Sequence, residues 1–167
     1  SGDIALGTID TGSADVSYGT LISIQALYGD LTSDSSYLRA WTATLTTSPT
    51  EDLEPLHAVS AAIGASGNAI NTDVTVLNAT ADNGGIFIHQ DSSISVDLTL
   101  GDIISKVAGV SPYQNSTGVV VRNSDGATGS FDIEITSDHK GLVLGGGVIA
   151  SQNVSLTSLN GSIIDRN

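Results

Sequence analysis

The chain has 167 residues, of which 40% are hydrophobic and 14% charged, and five Lys plus Arg against eighteen Asp plus Glu give a formal charge of −13. That length suits one hydrophobic core and is short for two domains, and the sign of the charge repels phosphate backbones and anionic membrane surfaces, so no nucleic acid partner is expected. Cys and Met are absent, which excludes disulfides and thiolate metal sites, and no apolar run approaches the ~20 residues that span a bilayer, so no membrane insertion is expected.

In chain order, the first strands are predicted at Ile4 to Ile9, Val16 to Tyr18 and Leu21 to Leu27, broken at Gly7, at Thr11-Gly12-Ser13 and at Gly19. Breaks at this spacing fit a backbone that turns a corner after each short strand rather than doubling back through hairpins. Gly29-Asp30 restarts the phrase, Ser33 to Ser36 reads as a turn, and Tyr37 to Thr47 carries the only Trp, Trp41, expected in or beside the core. Residues 48–58 hold two of the three prolines and should leave the body as a loop, with short helical turns near Thr50 and Leu56. Ile63 to Ile70 is turn-rich, Asp73 to Leu77 a strand, Thr80 to Gly85 a sharp turn into Ile86-Phe-Ile88, and Leu98 to Val107 a further strand. A second excursion is expected at 111–117 around Pro112, then a strand at Val119 to Val121 and a polar turn at Asn123 to Gly129.

The last third repeats most cleanly, with Phe131 to Ile135, Gly141 to Leu144, and the runs Val154 to Thr157 and Ser162 to Asp165 on either side of Asn160-Gly161. Each run is too short and one-sided to offset the entropy of ordering it alone. Their recurrence predicts an all-β stack in which each winding is the neighbour the last one lacks, over 1–167 as one unit. Asn83, Asn123 and Asn160 are the expected corner residues. With no initiator Met and no leader-like segment before Ser1, the sequence reads as a piece of a longer chain, with any export signal elsewhere.

Residues 63–88, IGASGNAINTDVTVLNATADNGGIFI, followed by Asp97 to Leu100, resemble the repeat of giant bacterial surface proteins related to filamentous haemagglutinin. The closing NVSLTSLNGSIID of residues 153–165 is similar to a second recurring phrase of that group. The resemblance implies a right-handed parallel β-helix of about seven coils at 20 to 25 residues each. It also implies export to the bacterial cell surface as part of the shaft of a long adhesin-like protein. The partners so implied are neighbouring coils of the same chain and glycans or proteins of a host or neighbouring cell. The 48–58 and 111–117 stretches depart from the pattern, and the asparagine- and proline-containing secretion motif of that family is absent.

Carboxylates are plentiful, including Asp91, Asp97, Asp102, Asp125, Asp132, Glu134 and Asp138. Polysaccharide lyases on this fold need an Arg or Lys base among calcium-binding acids, and Arg39, Lys106, Arg122, Lys140 and Arg166 lie in no such motif. The expectation is therefore no enzyme, with the acids on a solvated face. No cofactor is required. Calcium is the ligand chemistry best served, with Asp125, Asp132 and Glu134 as oxygen donors, although no twelve-residue loop frames them. His57, His89 and His139 lack zinc spacing and read as surface residues. Gly145 to Gly147 lacks the Lys and following helix of a phosphate loop and reads as a bend. Tyr113 and Trp41 are the aromatic candidates for stacking on sugar. The function these features predict is a stalk or spacer segment of an extracellular bacterial adhesin-like protein, contributing to cell-surface attachment. A carbohydrate-binding adhesin module and a β-helical polysaccharide lyase or hydrolase are the alternatives.

Overall fold

The computed structural model describes residues 3–11, 19–27, 29–48, 61–91, 97–106, 132–150 and 153–166, with only the backbone of 34–36. Every regular element among them is a β-strand: β1 (Ile4–Asp10), β2 (Leu21–Leu27), β3 (Leu31–Ser48), β4 (Ile70–Asp82), β5 (Ile86–Gln90), β6 (Leu98–Lys106), β7 (Ile133–Ser137), β8 (Leu142–Leu144), β9 (Val148–Ile149), β10 (Val154–Ser158) and β11 (Ile163–Asp165). Val, Ile, Leu and Thr dominate them, residue types that suit a pleated and half-buried surface. All eleven belong to one sheet, and every strand pairing is parallel. The all-β character predicted from the short runs, and the parallel pairing that the resemblance implies, are what the described residues adopt.

Parallel neighbours cannot be joined by a tight hairpin, so the chain must travel away and return before pairing again. Its register records those returns. Ile4 pairs with Leu31, Leu31 bridges to Ile63 and Ile63 to Ile86, Ile86 pairs with Ile133, and Ile133 with Val154. Six successive rows are thereby defined among the described residues. A second column runs Ile22, Ala43, Leu77, Leu100, Leu144, and a third Ile24, Leu45, Ala79, Ile103, Val148. Leu31, Ile63, Ile86, Ile133, Leu45, Leu77, Leu100 and Ile103 are fully buried and belong to one core cluster. Each such Leu or Ile contributes about 1.5–3 kcal/mol by leaving water.

The thirteen residues of β4 carry the sheet round a corner, which the burial pattern marks. Alternation holds from Leu77 to Asp82 but fails at Thr72, Asp73, Val74 and Thr75, all buried. The next row covers the same path with two strands, β5 against Ile70 to Thr72 and β6 against Val76 to Asp82. Inside that corner the column Leu38, Thr72, Gln90, Ser137 turns polar, and its groups bond to one another or to backbone. Thr72 donates its hydroxyl to Gln90 Oε1 at 2.6 Å, Gln90 Nε2 donates to the Val74 carbonyl at 2.7 Å, and Ser137 Oγ donates to the Lys140 carbonyl at 2.8 Å. A bend forces backbone groups out of the ladder, and these side chains take up what it frees.

Carboxylates at the corners do similar work between rows. Asp3 Oδ1 accepts the Asp30 N–H at 3.1 Å, Asp30 Oδ1 the Ala62 N–H at 2.7 Å, Asp97 Oδ1 the Gly141 N–H at 2.9 Å, and Asp132 Oδ1 the Asn153 N–H at 3.0 Å. In each case the acid belongs to the earlier row and the amide to the next. Asn83 takes φ = 87° at the turn from β4 into β5, as its role as a corner residue predicts. Gly145 to Gly147 makes the bend between β8 and β9, where a Cβ on Gly146 would stand 2.5 Å from the Gly101 carbonyl carbon. Asn160-Gly161 separates β10 from β11, and Asn160 Nδ2 donates to the Asp138 carbonyl of the row before.

Several sequence expectations need correcting. Gly7 does not break β1: the strand runs through it with a register shift, Leu6 facing Ser33 and Thr8 facing Tyr37. The polar stretch Ser33 to Ser36 is strand for the same reason, absorbed in the eighteen-residue β3. Thr80 to Asp82 belong to β4 rather than to the turn. Ile86 pairs directly with Ile133 and Leu98 with Leu142, so the rows bearing them are adjacent although 47 residues separate the first pair. The expected excursions lie outside the described residues, 111–117 entirely and 48–58 beyond Ser48, as do the strand at Val119 to Val121 and corner Asn123. No helix among the described residues is long and apolar enough to cross a membrane.

Candidate functional site

The outward positions of the corner bring together side chains that are far apart in sequence. Rows β5 and β7 align Ile86-Phe-Ile-His-Gln90 with Ile133-Glu-Ile-Thr-Ser137, so that Phe87 faces Glu134 and His89 faces Thr136. The isoleucines point into the core, which leaves the alternate residues on the other face. One row earlier, Asn71 pairs with His89. Above them stands a tight turn at Ser66-Gly67, closed by reciprocal backbone hydrogen bonds between Ala65 and Asn68 and made possible by φ of +70° at Gly64 and +78° at Gly67. Any side chain at Gly64 would collide with the Phe87 carbonyl oxygen, 2.5 Å from its Cβ position. The turn therefore lies directly on β5. Asn68 Nδ2 ties it to the Ser33 carbonyl at 2.8 Å.

Between turn and sheet lies a hollow of about 390 Å³ lined by Asn68, Asn71, Phe87, His89, Glu134 and Thr136 among others. His89 is fixed on both sides, Nδ1 at 3.0 Å from Asn71 Oδ1 and Nε2 at 2.9 Å from Asp138 Oδ2. With both ring nitrogens engaged it has none to offer as a base to a neighbouring hydroxyl, which general acid–base work on a Ser or Thr nucleophile requires. Glu134 is an exposed residue of the lining. The hollow thus presents fixed hydrogen-bonding groups to a polar ligand.

A second cluster lies beside it on the same face. Asp73 is fully buried; its Oδ2 accepts from Tyr37 OH at 2.9 Å and from Arg39 Nε at 3.0 Å, while Oδ1 has no partner. Arg39 also reaches Asp10 at 3.5 Å and stacks over the Tyr37 ring at 5.4 Å. Partial burial pushes the Tyr37 hydroxyl above its ordinary value and the hydrogen bond to Asp73 adds to this, while the Arg39 hydrogen bond opposes it. Hydrogen bonds to Tyr37 and Asp73 hold Arg39 charged more firmly than usual. A buried carboxylate is tolerated when it is paired and hydrogen-bonded, so this cluster is read as structural.

The residues singled out from the sequence are scattered. Trp41 is half-buried at the bend in β3, its backbone N–H bonded to Thr20 Oγ1 at 2.9 Å, outside the core cluster and away from the hollow. Asp132 is occupied by the backbone and side-chain nitrogens of Asn153, at 3.0 and 2.9 Å. Glu134 lines the hollow. Asp125 and Tyr113 lie outside the described residues. Among the described residues no three His or acidic side chains gather as a metal would need. His89 and His139, read singly as surface residues, each meet a carboxylate from another row, Asp138 and Asp91, the latter at 3.6 Å. His89, Asn71 and Asn68 escaped sequence reasoning because no local spacing links them. Aligning the Ile86 and Ile133 phrases residue by residue would have exposed His89 and Glu134 as outward neighbours.

Comparison of the chain with family models, curated proteins and solved structures finds no match.

Proposed function

We propose that the chain is a right-handed parallel β-helix acting as a stalk or spacer segment of a large extracellular adhesin-like protein. The observation that carries this is the register: six rows return in parallel alignment over continuous apolar columns. The use of charge agrees with it. Asp3, Asp30, Asp97 and Asp132 hold the amides of the following row, and Arg39 and Lys106 are held in ion pairs, Lys106 at 3.0 Å from Asp82. Side chains spent on joining rows suit a part whose task is to keep its shape and span a distance. The resemblance of residues 63–88, 97–100 and 153–165 to surface-protein repeats supports placement on a bacterial surface.

The test is length. Ile63 and Ile86 occupy one column, so duplicating residues 63–85 adds one row. Small-angle scattering should show a folded particle longer by about 4.8 Å, the spacing of neighbouring strands. Loss of cooperative folding, or an added segment that leaves the long dimension unchanged, argues against a modular spacer. Release of reducing or unsaturated ends from acidic polysaccharides by the intact chain would replace the spacer with an enzyme.

A further inference from the structure

The groups left over in the hollow define what it would accept. Asn68 spends its amide nitrogen on the Ser33 carbonyl, which leaves its Oδ1 as an acceptor. Asn71 spends its Oδ1 on His89, which leaves its amide nitrogen as a donor. Glu134 contributes an exposed carboxylate and Thr136 a hydroxyl, while His89 is engaged on both nitrogens. No Lys or Arg lines the hollow. It therefore offers one charged acceptor, one neutral acceptor, one donor and one group of either kind, in a chain of formal charge −13. Anionic ligands would meet the Glu134 carboxylate and the net negative charge of the chain, while the one basic ring at the hollow, His89, is already engaged by Asn71 and by the Asp138 carboxylate, and purely apolar ligands would leave these groups unpaired.

We propose that the hollow binds a ligand presenting an ammonium group among hydroxyls, the chemistry of a deacetylated amino sugar, with Glu134 facing the ammonium and Asn68, Asn71 and Thr136 the hydroxyls. A volume of about 390 Å³ falls within the range of small-ligand sites. The turn at Ser66-Gly67 and the row pairing of β4, β5 and β7 hold these groups in place before any ligand arrives. Binding here needs the turn and the row register but not the spacer role, so the titration can fail while the length test succeeds, and the reverse.

The experiment is an amide-shift titration of the full 167-residue chain with glucosamine, N-acetylglucosamine, glucose and lysine methyl ester, in mildly acidic buffer where the free amines are protonated. Glucosamine should move amides of residues 67–71, 87–89 and 134–136. It should bind about fivefold more tightly than either neutral sugar, the preference that one solvent-facing ion pair supplies. Glu134→Gln should abolish that preference, whereas Asp165→Asn, which removes the same charge on the last row, should leave it intact. Equal binding of the three sugars, shifts spread over the whole surface, or an unchanged preference in Glu134→Gln would each overturn the proposal. Lysine methyl ester binding as tightly as glucosamine would overturn the sugar assignment, since the amine alone would then account for it.

Discussion

Gln90 is a polar side chain, 1% exposed, in a column whose neighbour two rows back is Leu38. It bridges two strands of the bend, accepting from Thr72 and donating to the Val74 carbonyl. Gln90→Leu keeps the volume but strands a buried hydroxyl and a carbonyl, and should destabilise the chain by about 3 kcal/mol in chemical denaturation. Leucine's better match to the apolar interior would have to outweigh that for the variant to be neutral. Tyr37 gives a pH effect of defined sign. Its proton is held more tightly folded than unfolded, so the stability linked to it is complete below about pH 10. It is lost as pH rises through the higher folded value. Tyr37→Phe should flatten that alkaline fall in melting temperature, and a parallel fall in both chains would show that other groups cause it. Neither role was visible from residue type. Gln90 and Tyr37 sit in unremarkable β-favouring phrases, and their importance comes from partners 16 to 36 positions away.

At the scale of elements, the strands are short because the chain must turn between them, and the turns are set by what the adjacent row leaves room for. Gly146 packs on the backbone of Gly101 and Asp102, 2.5 to 2.9 Å from where its Cβ would be, whereas a Cβ on Gly7 meets nothing within 4 Å. Gly146→Ala should cost about 2–3 kcal/mol by forcing two backbones apart, and Gly7→Ala should change the melting temperature little. Similar losses for both would mean that backbone freedom rather than crowding selects these glycines. The strands β6, β7, β8, β10 and β11 were legible as short apolar or alternating runs between Gly, Asn and Ser, whereas β9 was not read as a strand. The run through Ser33 to Ser36 was not legible either, because Ser33 pairs with Leu6 and β3 continues across the register shift to Tyr37 opposite Thr8, a partner strand that sequence alone does not reveal.

For the whole molecule, stability should vary along the stack, since each row is supported only by its neighbours. β4 is paired on both sides, and its inward residues are fully buried; among the described residues β10 and β11 have a neighbour on one side only, with Val154, Ile163 and Ile164 39–47% exposed. Hydrogen exchange should therefore be about 100-fold faster at Val154 to Asp165 than at Ile70 to Asp82, and uniform protection would indicate a single cooperative block instead. What the sequence determined by itself was composition-level and local: β-rich character, the acidic surface, the absence of thiol chemistry, and the recurrence of short alternating phrases broken by Gly and Asn. Those follow from propensity and period, which act over a few residues. Only the tertiary structure decided which phrase lies beside which, because parallel register joins residues separated by whole returns of the chain and by connections of unequal length. That register places His89 between Asn71 and Asp138, turns Asp132 into a tie between rows, and sets Glu134 at the rim of a hollow.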